Sequence, residues 1–162
     1  MRRKDREVTD FNRMLAIIDE CEIVHLGIAA GEFPYIVPVN FAYEVKDGQL
    51  YLYAHGAKAG RKYELLSQLG KCSFEMEVNG GIKVMPEKKD TTTIYKCVMG
   101  EAEVDILDDM AEIRRVVDEV IMARDERTAK APYNEGSLAR VAIYRLKVLS
   151  MTGKANPGQP DL

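Results

Sequence analysis

The stretch YAHGAKAGRKYELL, Tyr53 to Leu66, decides how the chain is read, because it passes from strand-like alternation into a helical pattern through two glycines. His55 stands near the end of the strand, and Lys58, Arg61 and Lys62 crowd the start of the helix in a chain whose net charge is -3. Cations at a helix N-terminus oppose the macrodipole, at a cost of about 0.3–1 kcal/mol each, unless an anion sits between them. Free amides at that start, with Arg61 and Lys62 in the first turn, form a site for a phosphate dianion. A solvated basic turn is the plainer reading of the same residues. The P-loop pattern fails: Gly56 and Gly60 are four apart, Arg61 follows the second glycine and Tyr63 follows Lys62. His55 has two readings as well, a ligand-orienting or proton-shuttling group and a hydrogen-bonded structural histidine.

Outward from this stretch the pattern is mostly β. Upstream, EIVHLGIAAG and PYIVPVNFAYEV read as a hairpin, with His25 as a core histidine rather than a ligand. Pro34 and Pro38 donate no ladder hydrogen bond, so the second strand is expected at an edge, or with its pairing broken near Pro38. Asp47-Gly48 marks a tight turn into the strand that ends at His55. Downstream, RKYELLSQLG is a short helix capped by Gly70, and KCSFEMEV alternates, with Ser73, Glu75 and Glu77 on a wet or functional face. The NGG at 79–81 is expected to close that strand, and IKVM and TIYKCVMGEAEVDIL continue the β pattern after a polar loop. Two helices complete the list. One starts at the Thr9-Asp10 cap and runs to about Glu20; the other carries a core stripe of Met110, Ile113, Val117, Val120 and Ile121. LARVAIYRLKVLSMTG reads as the last strand. The expected fold class is therefore mainly β with short helices, a small β-barrel of six or so mostly antiparallel strands.

Length and composition set the outer limits. At 162 residues and 46% hydrophobic content the chain fits one domain with its own core. Its charge balance argues against a nucleic-acid or anionic-membrane partner, and the N-terminal MRRKDRE, interrupted by Asp5 and Glu7, reads as a solvated terminus. With neither a span of about 20 apolar residues nor a signal-peptide pattern, the chain is expected to be cytoplasmic. Cys21, Cys72 and Cys97 fit reduced core thiols, and no ligand spacing supports a metal.

Taken in order, PYIVPVNFAYE, LYLYAHGAKAGRKYELL, YKCVMGEAEV and MTGK resemble the pyridoxamine 5′-phosphate oxidase-like flavoproteins, and MRRKDREVTD is similar to the start of their Nim-type, 5-nitroimidazole-resistance branch. The resemblance covers residues 1–154 as a single domain and leaves 155–162 as a flexible C-terminal tail. It implies an FMN-binding split β-barrel that forms a homodimer, with FMN in clefts at the subunit interface. Arg61 and Lys62 would grip the FMN phosphate, and the backbone of Val37, Pro38, Val39 and Asn40 would border the flavin ring. His55 and Gly56 would lie against the cofactor, His55 being the candidate for catalysis. Cys97 falls where relatives carry serine, and a thiol is a weaker hydrogen-bond partner for FMN than a hydroxyl. The arginine- and histidine-bearing substrate segment of true pyridoxamine-phosphate oxidases is missing from TGKANPGQPDL. The implied activity is an FMN-dependent oxidoreductase that passes electrons from a donor such as NADH or NADPH to a small acceptor, for example a nitroaromatic. The alternative is a non-catalytic protein that binds or sequesters flavin or haem.

Overall fold

A computed structural model describes residues 3–129 and 131–156. Seven strands, β1 (Glu7–Val8), β2 (Ile23–Ile28), β3 (Tyr35–Lys46), β4 (Gln49–Ala57), β5 (Lys71–Met85), β6 (Asp90–Ile106) and β7 (Val141–Ala155), pair antiparallel throughout. Their order is β1-β7-β4-β3-β2-β5-β6, and the further pairing of β6 with β7 closes the sheet into a split barrel. That pairing covers the edges of β6 and β7, which would otherwise invite aggregation. Helix α1 (Phe11–Glu20) is capped as expected, the Asp10 carboxylate accepting from the Arg13 amide at 2.8 Å. Met14, Ile17 and Ile18 are the residues it buries.

Two apolar cores follow from the period of two. Val24, Leu26, Val39, Phe41, Leu52, Ala54, Phe74, Met76, Tyr144 and Leu146 point into the barrel. On the outside, Ala42, Tyr53 and Ile143 are covered by Ile113, Val116, Val117 and Val120. The stripe read from the sequence is thus core in Ile113, Val117 and Val120, whereas Met110 remains exposed. Helix α3 (Met110–Val116) widens into a π-helical turn at Val117–Ile121, an irregularity the 3.6-residue pattern does not reveal.

Three expectations are corrected, and one made with two alternatives resolves in favour of the first. The NGG segment does not end a strand: Gly81, at φ +82°, donates its amide to Asn79 Oδ1 and makes a bulge, and β5 runs on to Met85 opposite Asp90. The N-terminal segment is not wholly solvated, because Glu7 and Val8 pair with Lys154 and Gly153. Pairing does not break at Pro38, which lies opposite His25 in an unbroken β2–β3 ladder; what Tyr35–Asn40 lacks is its β4 neighbour, since that ladder begins at Phe41–Ala54. The edge form of the expectation holds. Finally, Ala155 belongs to β7, and Asn156 is buried, its amide bonded to Tyr95 O and its side chain to Thr92 Oγ1 and Thr93 O. The rest of the expected tail, 157–162, lies outside the described residues. Among the described residues no helix is long and apolar enough to cross a membrane.

Candidate functional site

β3 and β4 part company at one point. Phe41 pairs with Ala54, but Asn40 and His55 do not pair with each other: the chain before Asn40 stays on β2, and His55, Gly56 and Ala57 stay on β7, opposite Ile143, Ala142 and Val141. The resulting fork exposes two strand edges whose main-chain groups lack a ladder partner between them. Val37 and Val39 point into the barrel, so they offer the fork only their backbone, while the side chains of Pro38 and Asn40 are exposed on the outside.

β4 then delivers the chain into α2 (Arg61–Leu69). Its N-cap is Gly60, at φ +91°, which has no side chain to bond the first amides, so the helix start is open to an anion. Arg61 stacks over the Tyr35 ring at 4.9 Å and so ties α2 to the β3 arm of the fork. Lys62 turns the other way, its ammonium 5.2 Å from the Tyr144 ring centroid and 3.5 Å from His55 O. This path needs Gly56, because a Cβ there would stand 2.9 Å from Lys62 Nζ and 3.3 Å from Cε. Burial lowers the Lys62 pKa from the ordinary lysine value, the signature of an ammonium held short of solvent without a carboxylate beside it. Lys58 is committed elsewhere, donating to Ala139 O at 2.8 Å. A cationic cradle, a bare helix start and two free strand edges within one fork fit a phosphate joined to a flat ring system.

On the outer side of the fork lies a cleft of about 800 Å³. Asn40, Tyr53 and His55 line it from the barrel, Asp19, Cys21 and Glu22 from the end of α1 and the turn after it, and residues 121, 122 and 124–128 from the opposite wall. Arg124 fastens that wall: its guanidinium donates to Cys21 O at 2.8 Å and Ile18 O at 3.2 Å, and stacks on Phe41 at 4.6 Å and Tyr43 at 5.6 Å. Burial pushes the Cys21 thiol up to about 11, which makes it an unreactive wall residue.

The structure thus gathers Val37, Pro38, Val39, Asn40, His55, Gly56, Arg61 and Lys62 at one fork. It does not bring Cys97 there. Cys97 sits on the outside of β6 between Glu77 and Lys154, three strands from β3, or about 14 Å at the usual strand spacing, and burial raises its pKa. His25 is half-exposed on that same outer face, its Nδ1 3.3 Å from Glu75 Oε2, and is not the core histidine expected. Arg124, Met122 and Tyr35 were missed. Nothing local in the sequence marks them: Arg124 follows a stripe that reads as core, and Tyr35 reads as one more strand aromatic.

These features define a split barrel with a basic fork, and the sequence model of one family matches residues 10–155, the pyridoxamine 5′-phosphate oxidase family. The chain belongs to that family. Among solved structures it is similar to a candidate 5-nitroimidazole antibiotic resistance protein from Bacteroides thetaiotaomicron, at 27% identity and TM-score 0.78, over 91% of this chain and 85% of that one. A flavocytochrome from Azotobacter vinelandii shares the fold at 20% identity and TM-score 0.75, over 100% and 74% of the two chains. So does an FAD- and haem-binding protein from Mycobacterium smegmatis, at 18% identity and TM-score 0.75, over 97% and 76%. No curated protein sequence matches the chain.

Proposed function

We propose that the protein is an FMN-dependent oxidoreductase in which the fork holds the flavin and the adjoining cleft admits a small acceptor. The observation that carries this reading is the fork itself, with unpaired strand edges beside an uncapped helix start that bears Arg61 and Lys62. Arg61, Lys62 and the first amides of α2 hold the phosphate; the backbone of residues 37–40 meets the polar edge of the ring system. His55, exposed at the end of β4 and lining the cleft, positions the acceptor or gives it a proton. Bound FMN would supply the electron transfer, while these residues set orientation and access. The names of the similar proteins, a nitroimidazole-resistance protein and two flavin or haem proteins, support a flavin and a nitroaromatic acceptor. In this reading the protein works as a homodimer. The outer face carries exposed Ile23, Ile36 and Met99, apolar surface suited to a second copy, and Cys97 on that face would reach a flavin only across such an interface.

The test is anaerobic. The purified protein loaded with FMN is mixed with NADH or NADPH, and absorbance near 450 nm (about the flavin maximum) is followed before and after addition of a nitroimidazole. Bleaching by a donor and recovery on adding the acceptor support catalysis. In His55→Ala, FMN occupancy should persist and turnover should fall about a hundredfold, the lower end for a proton-transfer group. A flavin that no donor bleaches favours a binding or sequestering role.

A further inference from the structure

We propose that Arg6, Tyr95 and Lys154 form a second anion site, away from the fork, which takes a phosphate or a phosphate monoester between the N-terminal segment and the end of β7. The site stands independently of the flavin reading. Arg6 lies just ahead of β1, Tyr95 on β6 and Lys154 on β7, and all three are half-buried. Register puts them on one face: Lys154 pairs with Cys97 and with Glu7, and Tyr95 shares the outer face of Cys97 by alternation. The fork, by contrast, lies opposite Val141–Ile143 at the other end of β7. Arg6 Nη1 stands 3.4 Å from Tyr95 OH, and Lys154 Nζ stands 5.4 Å from the centre of the Tyr95 ring. Two cations thus flank one phenol, and their mutual repulsion is relieved when a negative group lies between them.

An orphaned donor points to the missing group. Arg6 Nε is shut off from solvent and has no hydrogen-bond partner among the described residues. Buried polar groups are nearly always paired, so a guanidinium N–H left over calls for an acceptor. The contact that holds Arg6 is at the long limit of a hydrogen bond, which leaves the guanidinium able to turn and present its Nε–Nη2 edge, the two donors that meet two oxygens of one oxyanion. The neighbouring cations are spent: Arg3 bonds Asp5 at 2.8 and 2.6 Å, and Lys96 bonds Glu20 at 2.6 Å. Of the carboxylates on this face, Glu7 has a partner of its own, and Glu77 lies one strand beyond, opposite Cys97. Burial would raise the Tyr95 phenol, but hydrogen bonds and charge from Arg6 and Lys154 bring it below the ordinary tyrosine value, so this oxygen already registers the positive field that an anion would enter. A phosphate monoester, at about −1.5 to −2 near pH 7 and with three acceptor oxygens, answers both cations, whereas a carboxylate answers one. Shared between Arg6 and Lys154, it would also fasten the two-residue β1 to β7.

The experiment titrates the full chain, its tyrosine rings carrying carbon-13, with inorganic phosphate, AMP and acetate at constant ionic strength. The Tyr95 resonance, assigned from Tyr95→Phe, is followed by NMR. Inorganic phosphate should shift it saturably, and acetate should bind about tenfold more weakly, having one charge contact fewer. Arg6→Gln and Lys154→Gln should each weaken phosphate by about tenfold or more, the effect of losing a charge-assisted bond. Should Lys154→Gln disturb β7, Arg6→Gln, in the segment ahead of β1, carries the comparison. The same titration in Arg61→Ala/Lys62→Ala reads the outer site without the fork, and the Tyr95 shift should persist there. AMP binding more tightly than inorganic phosphate identifies a nucleotide as the source of the phosphate, and the reverse order identifies the free ion; either order upholds the site. No saturable shift, equal binding of acetate, indifference to both Arg6→Gln and Lys154→Gln, or loss of the shift in the fork variant would overturn the proposal.

Discussion

At the scale of single residues, the fork depends on a contact between a glycine and a lysine. Gly56 leaves the space through which Lys62 reaches the Tyr144 ring. In Gly56→Ala the methyl would meet the far end of a flexible side chain, so the barrel should tolerate it while the ammonium is displaced. FMN affinity, measured by fluorescence quenching, should drop in this variant with little change in melting temperature. Lys62→Ala should weaken FMN binding by about 1.5 to 3 kcal/mol through loss of a charge-assisted contact. An unchanged dissociation constant in both variants would remove Lys62 from the site. Much of this was legible in advance, because glycine and cation spacing are properties of the string. The separation of Cys97 from the fork was not, since it depends on how many strands intervene between β3 and β6.

At the scale of elements, sequence patterns located strands well and their ends less well. Alternation placed Cys72, Phe74, Met76 and Val78 on the inner face of β5, and Asp47-Gly48, both at positive φ, makes the turn between β3 and β4. The NGG bulge reads as a turn because the same residues serve both purposes; only the partner strand decides between them. A second glycine shows the packing that the closed sheet requires. At Gly100 a Cβ would run into Ser150 O and fall 2.7 Å from Phe74 Cζ, next to the register shift at Glu101/Ala102 where β6 turns against β7. Neither a backbone oxygen nor a core ring can yield cheaply. Gly100→Ala should therefore destabilise the protein by roughly 2–4 kcal/mol, read from the urea midpoint. A loss below about 0.5 kcal/mol would mean that the two strands are free to separate there.

At the scale of the whole molecule, a charge network joins the outer helices to the barrel. Arg115 donates to Glu44 at 2.8 and 3.1 Å and to Glu112 at 3.0 Å, Tyr53 OH donates to Glu44 at 2.6 Å, and Arg145 lies 3.7 Å from Glu112. Hydrogen bonds from Arg115 are the leading cause that holds both glutamates below the ordinary carboxylate value. The unfolded chain therefore binds more protons than the folded one in this window. Stability from the network is fully present above about pH 4.3, the unfolded glutamate value, and is lost as pH falls through the lower folded values. Urea midpoints should decline from pH 5 to pH 3 (about the window these values define), and less steeply in Glu44→Gln. Equal slopes would assign acid sensitivity to other carboxylates. The Glu112–Arg115 pair is a helical i,i+3 spacing readable from the string, but its links to Glu44 and Arg145 were not legible, because those residues lie far apart in sequence and meet it only when α3 docks on the barrel.

The pairing of Val8 with Gly153 ties the first strand to the last. During synthesis on the ribosome, Val8 emerges early yet has no partner until Gly153 has been made. Contacts of such long sequence separation carry the greatest loop-closure cost and slow the search for the native topology. The seam between β1 and β7 therefore forms late, and any nascent chain interrupted before residue 153 leaves the ribosome with that seam unsewn.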